Sequence, residues 1–243
     1  MTNKNQAISR IVGMMLMAAI LLPAVSLAQA TGTTRGGMGG PGIAVLQARL
    51  VLNQMKITGD AKNKIDGIMQ KFIEDLRDFR QAAQGLAPDE RRQKMQDLEK
   101  ESDDTMNQVQ AELTSEQKTD FAMRFAVATV TRLRRTLLAI QKGAATLDVT
   151  DDEKKQLTDA IDEASKQVDA CKSDAASVTD FAGAMQISDK ATKAVTDTRQ
   201  QLVDILGPED AQQLMKNVLQ SISKDRKRAG SAGDATPATQ AVK

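Results

Sequence analysis

The side chains able to do chemistry in this 243-residue chain are few in kind: there is no His, no Trp and no Tyr, and the single cysteine is Cys171. A general base working near neutral pH is most often His, and a Cys171 nucleophile lacks that partner. Cys171 also falls inside an apolar stripe, which suits a buried, inert thiol. Two acidic clusters invite a hard-cation reading, Glu99, Glu101, Asp103 and Asp104, and then Asp151, Asp152 and Glu153. Neither has the spacing of a calcium loop. The first is more simply a solvated helix face, and the second is negative charge that a helix N-terminus favours. The Gly cluster at 36–42 precedes no strand and lacks the Lys-Ser/Thr of a phosphate loop. With one Cys and no His, a transition-metal site is not expected. The residue inventory therefore predicts no enzyme, no cofactor and no metal.

Cations are the other concentrated chemistry. Arg124, Arg132, Arg134, Arg135 and Lys142 lie within 19 residues and are read as facing no nearby acid in sequence. Steps of 11 and 7 put Arg124, Arg135 and Lys142 roughly on one side of a helix. Arg124, Arg132, Arg135 and Lys142 are thus the candidate partner-contact residues. The competing reading is a solvated face paired with acids of the neighbouring helix. Nucleic acid is not an expected partner, because no aromatics stand by to stack bases and the chain reads as exported. The scattered methionines, Met55, Met69, Met95, Met106, Met123, Met185 and Met215, suit core filling better than a clustered thioether site.

The elements that must position these residues read as helices. Residues 1–30 form a secretory signal peptide: Lys4 and Arg10 begin it, Ile11 to Leu22 is apolar, Pro23 follows, and Ala28-Gln29-Ala30 is a cleavage signal. A retained anchor is the alternative. After cleavage 33 − 2 = 31 basic residues face 32 acidic ones, so the charge is nearly balanced. Such a balance gives no general argument for nucleic acid or an anionic membrane. Residues 31–42 are a Gly-rich leader expected to be disordered, and 225–243 a disordered tail. Ile43 to Met55 is a first apolar helix, packed across the others.

From Thr58 onward the period is helical. Ile65, Ile68, Met69, Phe72, Ile73, Leu76 and Phe79 make one stripe. Gly85 and Pro88 break the chain, and Met95, Leu98, Met106, Val109 and Leu113 make the next, with Ser102 filling its gap. Phe121, Phe125, Ala128, Leu133, Leu137 and Ile140 mark a long linking helix, and Leu157 to Val178 carries a regular three-four stripe. After a loop near 177–183, Ile187 to Ile205 forms a weaker stripe, and the last helix starts at Pro208. Four of the five Phe residues lie in the first half, so the second half is expected to be less stable.

The corners between helices share a pattern. In Leu113-Thr114-Ser115-Glu116-Gln117, Thr114 and Gln117 are placed to form a reciprocal capping box. Related corners begin at Ile57-Thr58, Val149-Thr150 and Leu206-Gly207. Ile57 to Val149 is an offset of 92, and Leu113 to Leu206 one of 93. This reads as a duplicated three-helix unit. The predicted fold is all-α: antiparallel helical hairpins in two tandem three-helix units, 43–135 and 136–224, joined through a long shared helix.

An exported, all-helical chain with these corners resembles the Spy/CpxP family of periplasmic LTxxQ-motif proteins. Leu113, Thr114 and Gln117 match the motif, and Ile57-Thr58 looks like a degenerate first copy with Ala61 in place of Gln. The resemblance implies an antiparallel, often dimeric helical cradle in the cell envelope. It implies ATP-independent chaperone or stress-accessory activity on unfolded or envelope proteins. Relatives that bind metal use His or Cys that this chain lacks. A homodimer is one expected assembly, and an internal pairing of the two units in one chain is the alternative to it. The alternative is a structural or regulatory module with one dedicated envelope partner.

Overall fold

A computed structural model describes residues 42–232, with side chains through Val218. The expectations for a signal peptide at 1–30 and for the leader at 31–41 lie outside the described residues. Six α-helices occur among the described residues: α1 (Ile43–Leu52), α2 (Gly59–Ala82), α3 (Pro88–Ala111), α4 (Ser115–Ala144), α5 (Asp151–Ala176) and α6 (Phe181–Ala232). No strand occurs among the described residues. The all-α expectation holds. None of these helices is long and apolar enough to cross a membrane.

Helices α2 and α3 form an antiparallel hairpin. Lys64 pairs with Glu112 at 3.1 Å, and eleven residues further from this base on each helix Asp75 is close enough to Glu101 to raise its pKa. The apolar stripe of α2 turns inward as its spacing requires, with Ile65, Met69, Phe72, Ile73 and Leu76 buried. On α3, Leu98, Met106 and Val109 are buried, and Ser102 is buried in the gap between them. Between Leu76 and Leu98 no residue is buried, so the hairpin tip extends past the core.

The remaining helices make a three-helix bundle. Phe121 near the start of α4 stacks on Phe181 at the start of α6, 5.7 Å between ring centres. The Thr119 hydroxyl donates to the Thr179 carbonyl at 3.1 Å. Near the far end of α4, the Asn217 amide donates to the Thr146 hydroxyl at 2.9 Å. These contacts set α4 and α6 running in the same direction, with α5 returning antiparallel between them. All seven predicted stripe positions of α5 and its end are buried: Leu157, Ile161, Ala164, Val168, Cys171, Ala175 and Val178. Helix α6 restarts at Phe181, earlier than the expected end of the loop, because Asp180 Oδ1 accepts from the Gly183 N–H at 2.7 Å and caps the first turn.

Gly207 interrupts α6 with φ 73° and ψ 173°. Pro208 cannot donate to the preceding turn and disfavours a helical conformation in the residue before it. The chain turns there, and Ala211, Leu214 and Val218 close a second core over Ala139, Ile140, Leu157 and Ile161. Helix α6 then continues to Ala232, into the 225–243 segment expected as a tail. Residues 233–243 lie outside the described residues.

Helix α1 is the element that sequence periodicity described least well. Six of its ten residues are buried: Val45, Leu46, Gln47, Ala48, Val51 and Leu52. Such a helix is apolar on most of its circumference and belongs inside a protein. It packs on both α3 and α4, and a Cβ added at Gly42, at its start, would come within 3.0 Å of Phe72 and Leu76 of α2. The larger core is continuous through α1 from the hairpin to the bundle.

Candidate functional site

The four corners differ in how they are capped. At Thr114 the capping box is complete: Gln117 N–H donates to Thr114 Oγ1 at 3.3 Å, and Thr114 N–H donates to Gln117 Oε1 at 3.0 Å. Leu113 beside them is buried. At Thr150 the same exchange is made with Glu153, which accepts from the Thr150 N–H at 2.8 Å and from its hydroxyl at 2.7 Å. These bonds from Thr150 hold the Glu153 carboxyl below the usual carboxylate value. Thr58 makes no side-chain cap bond, and the chain passes into α2 through Gly59 at φ 68°. Asp151 and Asp152 are exposed at the start of α5, in the dipole-favoured position the sequence indicated.

The candidate contact cations do not form one surface patch. Arg124 is exposed and pairs with Asp120 at 2.6 Å, four residues earlier on its own helix. That acid corrects the expectation that the cations lack acidic neighbours in sequence, and the i,i+4 spacing is its physical reason. Arg134 reaches across to α5, with Nε 3.1 Å from Asp169 Oδ1 and Nη1 donating to Ser165 Oγ at 2.8 Å. Arg135 and Lys142 are exposed, and Lys142 has an interaction partner. Arg132 instead turns inward. Burial lowers its pKa, and its Nε donates to Gln47 Oε1 of α1 at 3.1 Å.

Arg132 lies on the floor of a cleft of about 380 Å³. Helix α1 supplies Ile43, Ala44 and Gln47; α3 supplies Gln96, Glu99, Lys100, Ser102 and Asp103; α6 supplies Met185, Ser188, Asp189 and Thr192. The floor is a buried polar chain. Gln47 Nε2 donates to the Phe125 carbonyl at 3.1 Å and to Thr129 Oγ1, while Gln47 Oε1 accepts from Arg132. Each end of the Gln47 amide is thereby satisfied, which is what a buried amide requires. Three carboxylates and the ammonium of Lys100 surround the opening. Asp103 and Asp189 both have interaction partners.

Sequence reasoning found Arg132 but placed it with the wrong companions, and it missed Gln47, Thr129 and Ser188. One signal was present: Gln47 is a polar residue within the most apolar of the described helices. Ser188 is buried and its hydroxyl donates to the Ala184 carbonyl.

A second polar contact joins the hairpin. The Glu101 carboxyl has its pKa raised, first by burial and then by the hydrogen bond and negative charge of Asp75. Asp104 adds to the effect and Lys71 opposes it. Among the described residues no three carboxylates or thiols come together in an arrangement able to hold a metal ion. Cys171 is fully buried, and burial raises its thiol pKa, with Lys190 opposing and Asp174 adding. Its surroundings suit packing rather than reaction. No protein-family model, no curated protein and no solved structure matches this chain.

Proposed function

We propose that this chain is an exported helical protein-binding module, an ATP-independent periplasmic chaperone-like or envelope-stress accessory protein of the Spy/CpxP kind. In this reading residues 43–135 and 136–224 are two related units that share α4. The observation that carries it is the α2–α3 hairpin tip. From Arg77 to Asp97 no side chain is buried, yet Phe79, Leu86 and Met95 lie there half-covered. An apolar set on a projecting hairpin, interleaved with Arg77, Arg80, Arg91 and Arg92, gives shallow contact for exposed client segments and charge for long-range attraction. The complete box at Thr114 and Gln117 supports the resemblance at its most specific motif. The residue inventory, without His, supports binding over catalysis. Protein purified after export should slow aggregation of a reduced or denatured client at near-stoichiometric ratio. Absence of suppression across several unrelated clients refutes the reading.

A second reading is favoured by the cleft. Its floor is held by the fixed Gln47–Arg132 contact, which suits one dedicated envelope partner better than many clients. In that reading a pull-down from envelope extract returns one protein, and general aggregation suppression is absent.

A further inference from the structure

The cleft carries a guanidinium whose charge the fold does not use. Arg132 Nε donates to Gln47 Oε1, and this is the only polar contact of the side chain among the described residues. Gln47 is held in turn by the Phe125 carbonyl and Thr129, so the guanidinium is fixed in place. With Nε taken, Nη1 and Nη2 remain, a planar fork that matches the two oxygens of one carboxylate. No acid among the described residues forms an ion pair with Arg132. Burial lowers its pKa, as it does for a cation that loses water without gaining a counter-charge. Lys100, exposed at the opening, likewise makes no ion pair among the described residues. Of the three rim carboxylates, Asp103 and Asp189 already have partners. The charges of the cleft that remain unengaged are therefore two cations, Arg132 and Lys100, and one anion, Glu99.

We propose that the cleft is a binding site for a small hydrophilic monocarboxylate, its carboxylate held end-on by Arg132 and attracted by Lys100. One negative charge balances the two cations and Glu99. A dianion overshoots that balance, and a cation adds to the existing excess. The volume of about 380 Å³ falls in the range of small-molecule sites, about 300–1,000 Å³. The walls select a polar body for the ligand. Ser102 is buried, yet its hydroxyl makes no hydrogen bond among the described residues, and neither does the Thr192 hydroxyl or the Gln96 amide. Such groups are satisfied by the hydroxyls or amides of a bound molecule. The ligand thus places its charge on the floor and its polar chain between α3 and α6.

This inference does not depend on the chaperone reading, and its test involves no client protein. Purified nitrogen-15-labelled protein is titrated at neutral pH and fixed ionic strength with gluconate, with sorbitol and with inorganic phosphate. Sorbitol is the uncharged polyol of the same chain length as gluconate. The signals followed are the Arg132 Nε–H, assigned by its loss in Arg132→Lys, and the backbone amides of 96–103 and 185–192. Gluconate should shift them saturably, phosphate more weakly, and sorbitol should leave them in place. Arg132→Lys keeps the charge but removes the fork, and should weaken gluconate by about tenfold, the scale of one charged hydrogen bond. Lys100→Gln changes an exposed side chain, so it should weaken gluconate severalfold with helical circular dichroism unchanged. Four results overturn the proposal. The first is no saturable shift with gluconate. The second is an equal response to sorbitol, which makes the site one for polyols. The third is tighter binding of phosphate than of gluconate, which makes the ligand a phosphate. The last is gluconate affinity unchanged in both variants, which puts the anion elsewhere.

Discussion

Arg132 Nε donates to Gln47 Oε1 at 3.1 Å across 85 residues of sequence. The contact ties α1 to α4, and the other end of the same amide bonds the Phe125 carbonyl and Thr129. Removing Gln47 strands a partly buried guanidinium N–H. Gln47→Ala should therefore cost about 1–3 kcal/mol, the range for leaving a buried polar partner unsatisfied. Urea unfolding measures it. A loss below about 0.5 kcal/mol, the scale of an ordinary surface change, would mean that water replaces the amide without penalty.

The corners make a graded prediction. Thr114→Ala removes a complete cap and should cost about 1 kcal/mol. Thr150→Ala should destabilise in the same direction, since it breaks the bonds to Glu153. Thr58→Ala should be close to neutral, because Thr58 makes no cap bond. Chemical denaturation of the three variants gives the ranking. Equal losses at all three corners contradict the observed geometry.

These corners show what could be read from sequence and what could not. A capping box is local: Thr114 and Gln117 are three residues apart, so their types predict the contact. The buried stripe of α5 is local in the same sense, because helical period alone fixes which face is apolar. Period does not say which helix that face meets. Phe181 lies in the second half, yet it packs on Phe121 and Phe125 of α4, at 5.7 and 5.4 Å. The expected poverty of the second half in aromatic packing thus misses a ring that joins the larger core. The contact between Gln47 and Arg132 was unreadable for the same reason, since neither residue type nor spacing links positions so far apart. The cleft is made by four helices at once and has no sequence signature.

Acid should strengthen the hairpin. Glu101 has a pKa raised above its ordinary value of 4.5, by burial first and by Asp75 second. The folded chain then holds this proton more tightly than the unfolded chain does. The stability it gives is fully present below the unfolded pKa and is lost as pH rises through the folded one. Glu153, with its lowered pKa, works in the opposite sense, losing its contribution as pH falls through its folded value. The difference between wild type and Glu101→Gln isolates the hairpin term. At pH 7 the variant should be the more stable of the two, and exchange in 71–76 and 98–105 should vary less with pH. An identical pH slope in both proteins refutes the role of this pair.

Gly143 and Gly207 separate two reasons for keeping a glycine. At Gly143 a Cβ would sit 3.0 Å from Val218 Cγ2 and 3.1 Å from Leu214 Cδ1, with an ordinary helical backbone. The constraint is space beneath the stretch of α6 that follows Gly207. Gly143→Ala gains about 0.8–1 kcal/mol of helix propensity, which offsets part of the crowding, so its net effect should be small. Gly143→Leu has no such offset and should cost about 1–3 kcal/mol by overpacking, with faster exchange confined to 211–218. At Gly207 nothing lies within 4 Å of the added Cβ, but φ is 73° and ψ is 173°. That region is essentially reserved for glycine and costs other residues about 1–3 kcal/mol. Gly207→Ala should pay this with no steric contact at all. Gly207→Asn should do no better, because Asn tolerates the left-handed helical region, where ψ is near 47°, and not this one. Thermal unfolding of the four variants tests both halves of the argument. A Gly207→Asn protein as stable as wild type would show that the break in α6 relaxes to another backbone conformation.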